Sequence, residues 1–163
     1  MSTPSLPQAL EQLFRSQINA AKELHQILSD ENAALVNRDY KGSQSVIQAK
    51  QLKTAEIESL IKKQTELLAT TGLSFSRESF DNIINSCSNL TGEALRKLRD
   101  TLENTMQECQ NQNLINGQII SVNQQSAKIA LGILRGQLSS DELTYGSGGQ
   151  PISDKSAHPI TKA

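Results

Sequence analysis

The stretch QECQNQNLINGQIISVNQQSAKIALGILRGQ, Gln107 to Gln137, decides how the chain is read. Its apolar residues recur at steps of three and four, the spacing that stacks side chains on one face of a helix. Upstream of it, Leu95, Leu98, Leu102, Met106 and Cys109 form a clean apolar seam. Gln112, Asn113, Asn116 and Asn123 fall on the continuation of that seam, where a self-contained bundle would place Leu or Ile. Ala130, Leu131, Ile133, Leu134 and Leu138 then restore the apolar character. The pattern predicts one helix over about 92–137, capped by Thr91, with Glu93 near its positive end. At 1.5 Å per residue it would reach on the order of 70 Å. Gly117 lies inside it, where a glycine costs about 1 kcal/mol relative to alanine and is a place for a bend.

Working outward, the segment before this helix is short and interrupted. Ser76 is a plausible cap for a brief helix whose apolar side is Phe80, Ile83 and Ile84, and NLTGE breaks it. Earlier still, Leu6, Leu10, Leu13 or Phe14, Ile18, Ala21, Leu24, Ile27 or Leu28, and Leu35 mark an amphipathic helix over about 5–37, with Pro4 and Pro7 at its start. NRDYKGS interrupts the pattern, and Asp39 can cap a second helix over about 40–69. That helix carries Val46, Ile47, Ala49, in part Leu52, then Ile57, Leu60, Ile61, Leu67 and Leu68 on one side. Lys50, Lys53, Glu56, Glu58, Lys62, Lys63 and Glu66 read as a solvated face. Gly72 suits a left-handed helix exit. The fold class expected is all-α: an antiparallel bundle of three long helices and one short one, with brief loops. Residues 1–138 form the bundle domain. Residues 139–163, rich in Gly, Ser and Pro and without periodicity, read as a flexible tail.

Composition fits that class and narrows function. Hydrophobic residues make up 36% of the 163, aromatics 3%, and there is no Trp, a balance expected of a Leu/Ile/Ala bundle. The net charge of −1 is evenly mixed, so no basic face for nucleic acid is expected. The N-terminus lacks the basic-then-apolar order of a secretory signal, and IALGIL is too short for a membrane span. Cys87 and Cys109, without a CxxC spacing, read as free thiols of a cytoplasmic protein. The NLT sequon at Asn89 is a chance match in that setting. His25 lies near the apolar stripe of the first helix, but Lys22 stands where a di-metal bundle would carry Glu. His158 lies in the tail, and neither histidine joins a catalytic spacing. Gly146, Gly148 and Gly149 follow no predicted strand and open no helix, so they form no phosphate cradle. No enzyme, metal or cofactor is expected, and the case rests on binding.

Amides on a bundle seam need hydrogen-bond partners if they are buried. Two readings follow. Either the seam turns outward and the amides are wet, or the stretch is a docking surface whose anchors are Leu114, Ile115, Ile119, Ile120 and Val122. An amphipathic partner helix could lie along such a surface and later be released. An Asn at a seam position also fixes register in coiled coils, so a structural homo-oligomer or an adaptor is the alternative.

Several pieces carry a resemblance. RDYKG at Arg38–Gly42 ends the first helix, Lys50, Leu52, Lys53 and Ile57 follow, and NQNLINGQII lies in the last helix. ALGILRGQ and LTYGSGGQP come after it. In order and spacing, over nearly the whole chain, these resemble the FlgN family of flagellar type III export chaperones. Thr144 stands where the family commonly has an apolar residue, and Ser147–Gly149 lack its usual Asp. The resemblance implies a non-enzymatic cytoplasmic chaperone without cofactors. Its clients would be hook-associated proteins of the FlgK and FlgL type, whose apolar C-terminal helices it would cover before export. The implied client-binding residues are Leu114, Ile115, Ile119, Ile120 and Val122, then Leu131 and Leu134. Tyr145 would contact the flagellar export gate.

Overall fold

In the computed structural model, residues 5–135 are described. They form four α-helices: α1 (Leu6–Val36), α2 (Tyr40–Ala69), α3 (Arg77–Ser86) and α4 (Asn89–Leu134). There is no strand among the described residues, so the all-helical class, three long helices and one short, is the observed one. Residues 136–163, including Tyr145 and the whole expected tail, lie outside the described residues. The described residues divide into two units that part between Ile120 and Ser121.

The helix ends follow local chemistry. Pro7 lies in the first turn of α1, and the Ser5 N–H donates to Gln8 Oε1 at 3.0 Å. The α1–α2 turn is tight: Asn37 ends α1, Arg38 adopts φ 54°, and Asp39 caps α2 by accepting from the Gly42 N–H at 3.0 Å. A Cβ on Gly42 would collide with the Asp39 carboxylate, so this glycine keeps the cap seated. Gly72 closes α2 at φ 74°, the left-handed region that glycine enters without steric cost. Ser76 caps α3, accepting from the Ser79 N–H at 3.2 Å.

One boundary differs from the sequence reading. α4 starts at Asn89, and Thr91 lies inside its first turn instead of capping it. The Gly92 N–H donates to Ser88 O at 2.8 Å, closing that turn. A Cβ on Gly92 would sit 2.8 Å from Ile84 O, so the glycine allows α3 and α4 to approach closely. NLTGE therefore opens a helix; the break falls at Cys87 and Ser88.

Within the first unit the directions of the helices can be read from side-chain bonds. Gln17 reaches Gln64 and Glu31 meets Lys50, so residue numbers on α1 and α2 run oppositely. Cys109 Sγ donates to Ala21 O and Asn116 Nδ2 to Leu28 O, each pair 88 residues apart. A constant offset means that α1 and α4 run parallel, in register over two turns. The order is up, down, up, so the first and last long helices are parallel neighbours and α2 is antiparallel to both. The main core joins Leu10 and Phe14, Leu68, Phe80, Ile83 and Ile84, and Leu95, drawing on all four helices. Burial of such side chains contributes roughly 1.5–3 kcal/mol each and is the main force holding this end together.

Candidate functional site

The amide-rich part of α4 has two different environments. At Asn116 the seam is sealed: this side chain is 1% exposed. Its Nδ2 donates to Leu28 O and to Glu31 Oε2, both at 2.8 Å. Its Oδ1 accepts from Asn32 Nδ2 and from Gln112 Nε2, both at 3.0 Å. Two donated and two accepted bonds fill the whole capacity of a carboxamide. Glu31 is buried as well, and Lys50 Nζ meets its two oxygens at 3.2 and 3.0 Å and Asn113 Oδ1 at 2.7 Å. The three long helices are thus tied by one polar layer. A buried carboxylate is tolerable here because an ammonium and an amide satisfy it.

Neither expectation for these amides holds at Asn116: it is not wet, and it is not free to receive a partner. Lys50 also departs from its expected place on a solvated face. A lysine stem is long enough to lie along its neighbours and deliver the ammonium to an inward carboxylate. Lys53 likewise bridges to Glu23 on α1 and to Glu56 at 2.6 Å. Sequence reasoning passed over Glu31 and Asn32. A signal existed, since Glu31 stands three residues after Leu28 and four before Leu35, on the apolar stripe itself.

The apolar residues singled out nearby have another environment. In the first unit Leu114 is 64% exposed, Ile115 and Ile120 are exposed, and Ile119 is half-buried. In the second unit Val122, Leu131 and Ile133 are exposed and Leu134 is 82% exposed. No residue from Gly117 to Arg135 is buried. Large apolar side chains left in water along one helix are the structural fact to be explained, since contiguous exposed apolar surface marks interaction sites. Ile119 belongs less to that set than the sequence suggested, because it lies three residues after Asn116, beside the sealed layer.

Among the described residues no group of three or more His, Cys, Asp or Glu could hold a metal ion. No described helix is long and apolar enough to cross a membrane. His25 is half-buried. Cys109 is buried, and burial, followed by the nearby Glu108 charge, pushes its thiol pKa up. Buried and donating to Ala21 O at 3.2 Å, this thiol is part of the packing between α1 and α4.

What the fold and this surface define is an all-helical module whose last helix is sealed at Asn116 and carries large apolar residues in water, Leu114 and Ile115 before it and Ile120 after it among them. The FlgN protein family model matches residues 1–152, and the chain belongs to the FlgN family. A crystal structure solved as a candidate flagella synthesis protein FlgN from Pseudomonas aeruginosa is similar, at 31% identity and a TM-score of 0.63. The match covers 81% of this chain and 99% of that one. No curated protein matches. Membership places the chain in a flagellum-related role.

Proposed function

We propose that this chain is a cytoplasmic export chaperone of the flagellum, binding the apolar C-terminal helices of hook-associated proteins of the FlgK and FlgL type. The observation that carries the proposal is the exposure of Leu114, Ile115, Ile120, Val122, Leu131 and Leu134 on α4. A client helix laid on these residues would remove both apolar stripes from water, at roughly 25 cal/mol per Å². Bound client is unavailable for premature association, by mass action. The amide groups between the anchors keep the empty helix soluble. The tail would then bring the complex to the flagellar export gate through Tyr145, and no catalysis or cofactor is needed.

The competing reading, a homo-oligomer registered by a seam Asn, finds no such residue in Asn116. Asn116 has all four of its hydrogen bonds inside the chain, so it has none left to register a second copy.

The test is calorimetric titration of the protein with a peptide of a client's C-terminal helix. Binding at tens of micromolar or tighter is expected. Ile115→Asp with Val122→Asp, both at exposed positions, should weaken it at least tenfold, about 1.4 kcal/mol, with helicity retained. Unchanged affinity in that double variant would show that the docking surface is elsewhere.

A further inference from the structure

Of the asparagines in the chain, only Asn116 is followed by a glycine. Asn-Gly is the pair at which a polypeptide most readily modifies itself, because no side chain shields the glycine nitrogen. Nothing in the packing of α4 asks for this glycine. Its φ is not positive, and a Cβ added there would meet open space. Inside a helix it is less stable than alanine. Gly117 serves neither a turn nor a close helix crossing, so its consequence is chemical.

The structure restrains both reacting groups. The Asn116 carboxamide is buried and held by four hydrogen bonds. Gly117 lies within α4, where its N–H belongs to the helix ladder. To react, the Gly117 nitrogen must give its proton to hydroxide and turn onto Asn116 Cγ. Helical backbone points it elsewhere, and the four bonds keep Cγ from coming to meet it. These restraints stand at an edge, however. No residue from Gly117 to Arg135 is buried, so local opening that starts beyond Gly117 meets its first sealed side chain at Asn116.

We propose that Asn116–Gly117 is a deamidation site guarded by the polar layer, and that its reaction unlocks α4 from α1 for good. The Gly117 nitrogen bonds to Cγ, the Cγ–Nδ2 bond breaks, and Nδ2 leaves as ammonia. Water then opens the cyclic imide at either carbonyl, leaving aspartate or isoaspartate. Either way a carboxylate replaces the amide that donated to Leu28 O and Glu31 Oε2, and it can donate to neither. It also sets a second negative charge against the buried Glu31, whose partner Lys50 is already engaged. Isoaspartate adds a carbon to the main chain as well, which breaks the helix repeat. A chain that has stood open long enough to react cannot rebuild the sealed layer.

The full chain is held at pH 8, folded or in guanidinium chloride, and the tryptic segment 100–128 is followed by tandem mass spectrometry. In guanidinium, Asn116 should react at least about tenfold faster than Asn113 or Asn123, and Gly117→Ala should remove that lead. In the folded chain Asn116 should react at least about tenfold slower than in guanidinium, because only the open fraction reacts. Glu31→Ala takes away one acceptor of Nδ2 and should speed the folded reaction at least about threefold, with the unfolded rate unchanged. If that variant does not fold, Gln112→Ala, which removes a bond to Oδ1, serves in its place. Asn116→Asp, the product in stable form, should speed hydrogen exchange over residues 109–120 at least about tenfold. Equal rates for Asn116 and Asn113 in guanidinium, or equal rates folded and unfolded, overturn the proposal. So does an unchanged folded rate in the layer variant, or unchanged exchange in Asn116→Asp.

Discussion

Replacing Asn116 by alanine removes the centre of the polar layer, and its cost can be worked out bond by bond. Leu28 O loses the 2.8 Å donor from α4 but keeps its place in the α1 ladder, so about 1 kcal/mol is lost there. The bond from Nδ2 to the buried Glu31 carboxylate is charge-assisted and worth about 2 kcal/mol. Asn32 and Gln112 are half-buried and can turn to water, so their bonds to Oδ1 add little. Glu31 keeps Lys50, which prevents the larger penalty of an unpaired buried charge. The expected loss is about 3 kcal/mol, a large share of the 5–15 kcal/mol typical of a domain.

Urea unfolding followed by circular dichroism at 222 nm measures it, with Asn113→Ala as the reference. Asn113 sits on the same helix one turn earlier, is exposed, and gives up a single bond to Lys50 at 2.7 Å. Its replacement should cost under about 1 kcal/mol. The two variants should therefore differ by about 2 kcal/mol, or a Tm gap of several degrees. If they agree within about 0.5 kcal/mol, Asn116 is hydrated in solution and the sealed polar layer is not a real feature of the molecule.

Other outcomes are open to measurement. Hydrogen exchange along α4 should be slow through Asn116 and markedly faster after Ile120, because no residue from Gly117 onward is buried; uniform protection to Leu134 would contradict this. Iodoacetamide at pH 8 should alkylate half-buried Cys87 well before Cys109, whose thiol is raised in pKa by burial, and mass spectrometry in and out of urea would show whether the order is reversed. Gly72→Ala should cost about 1 kcal/mol because of its positive φ, whereas Arg38→Gly, at the other left-handed position, should cost nothing or stabilise slightly in thermal melts.

How far the sequence carried depended on what kind of contact each residue makes. Helix existence was legible because the apolar spacing repeats over many turns, and Asp39, Gly72 and Ser76 act at the ends where capping chemistry predicts. Gly92 was misread because a glycine after NLT resembles a breaker; only the Ile84 carbonyl beside it shows that the glycine serves a close helix crossing. Leu114, Ile115 and Leu134 are exposed, and their role as client anchors is the proposal that the titration tests. The polar layer was not legible, because it depends on three positions far apart in the chain, Glu31, Lys50 and Asn116, meeting in space. Glu31 and Asn116 each stand on an apolar stripe, but only Lys50, read as part of a solvated face, completes the layer. Phe75 posed the same difficulty: nothing local says that a loop phenylalanine meets Phe80.

The polar layer also explains why a helix with amides on its seam can carry exposed apolar residues without losing its place. An apolar seam tolerates a shift of one turn, since Leu can replace Leu in the facing hole. Asn116 opposes a slide that would bring Ile119 or Ile120 opposite Glu31, since neither side chain can donate to the buried carboxylate. The 88-residue offset between α1 and α4 is thus set by hydrogen bonding at its upper end and by Cys109 against Ala21 lower down. With register fixed there, the residues after Asn116 need not hold the bundle together. Their exposed apolar side chains are the surface on which the proposed client binding would draw, and the amides among them would keep that surface soluble while it is empty.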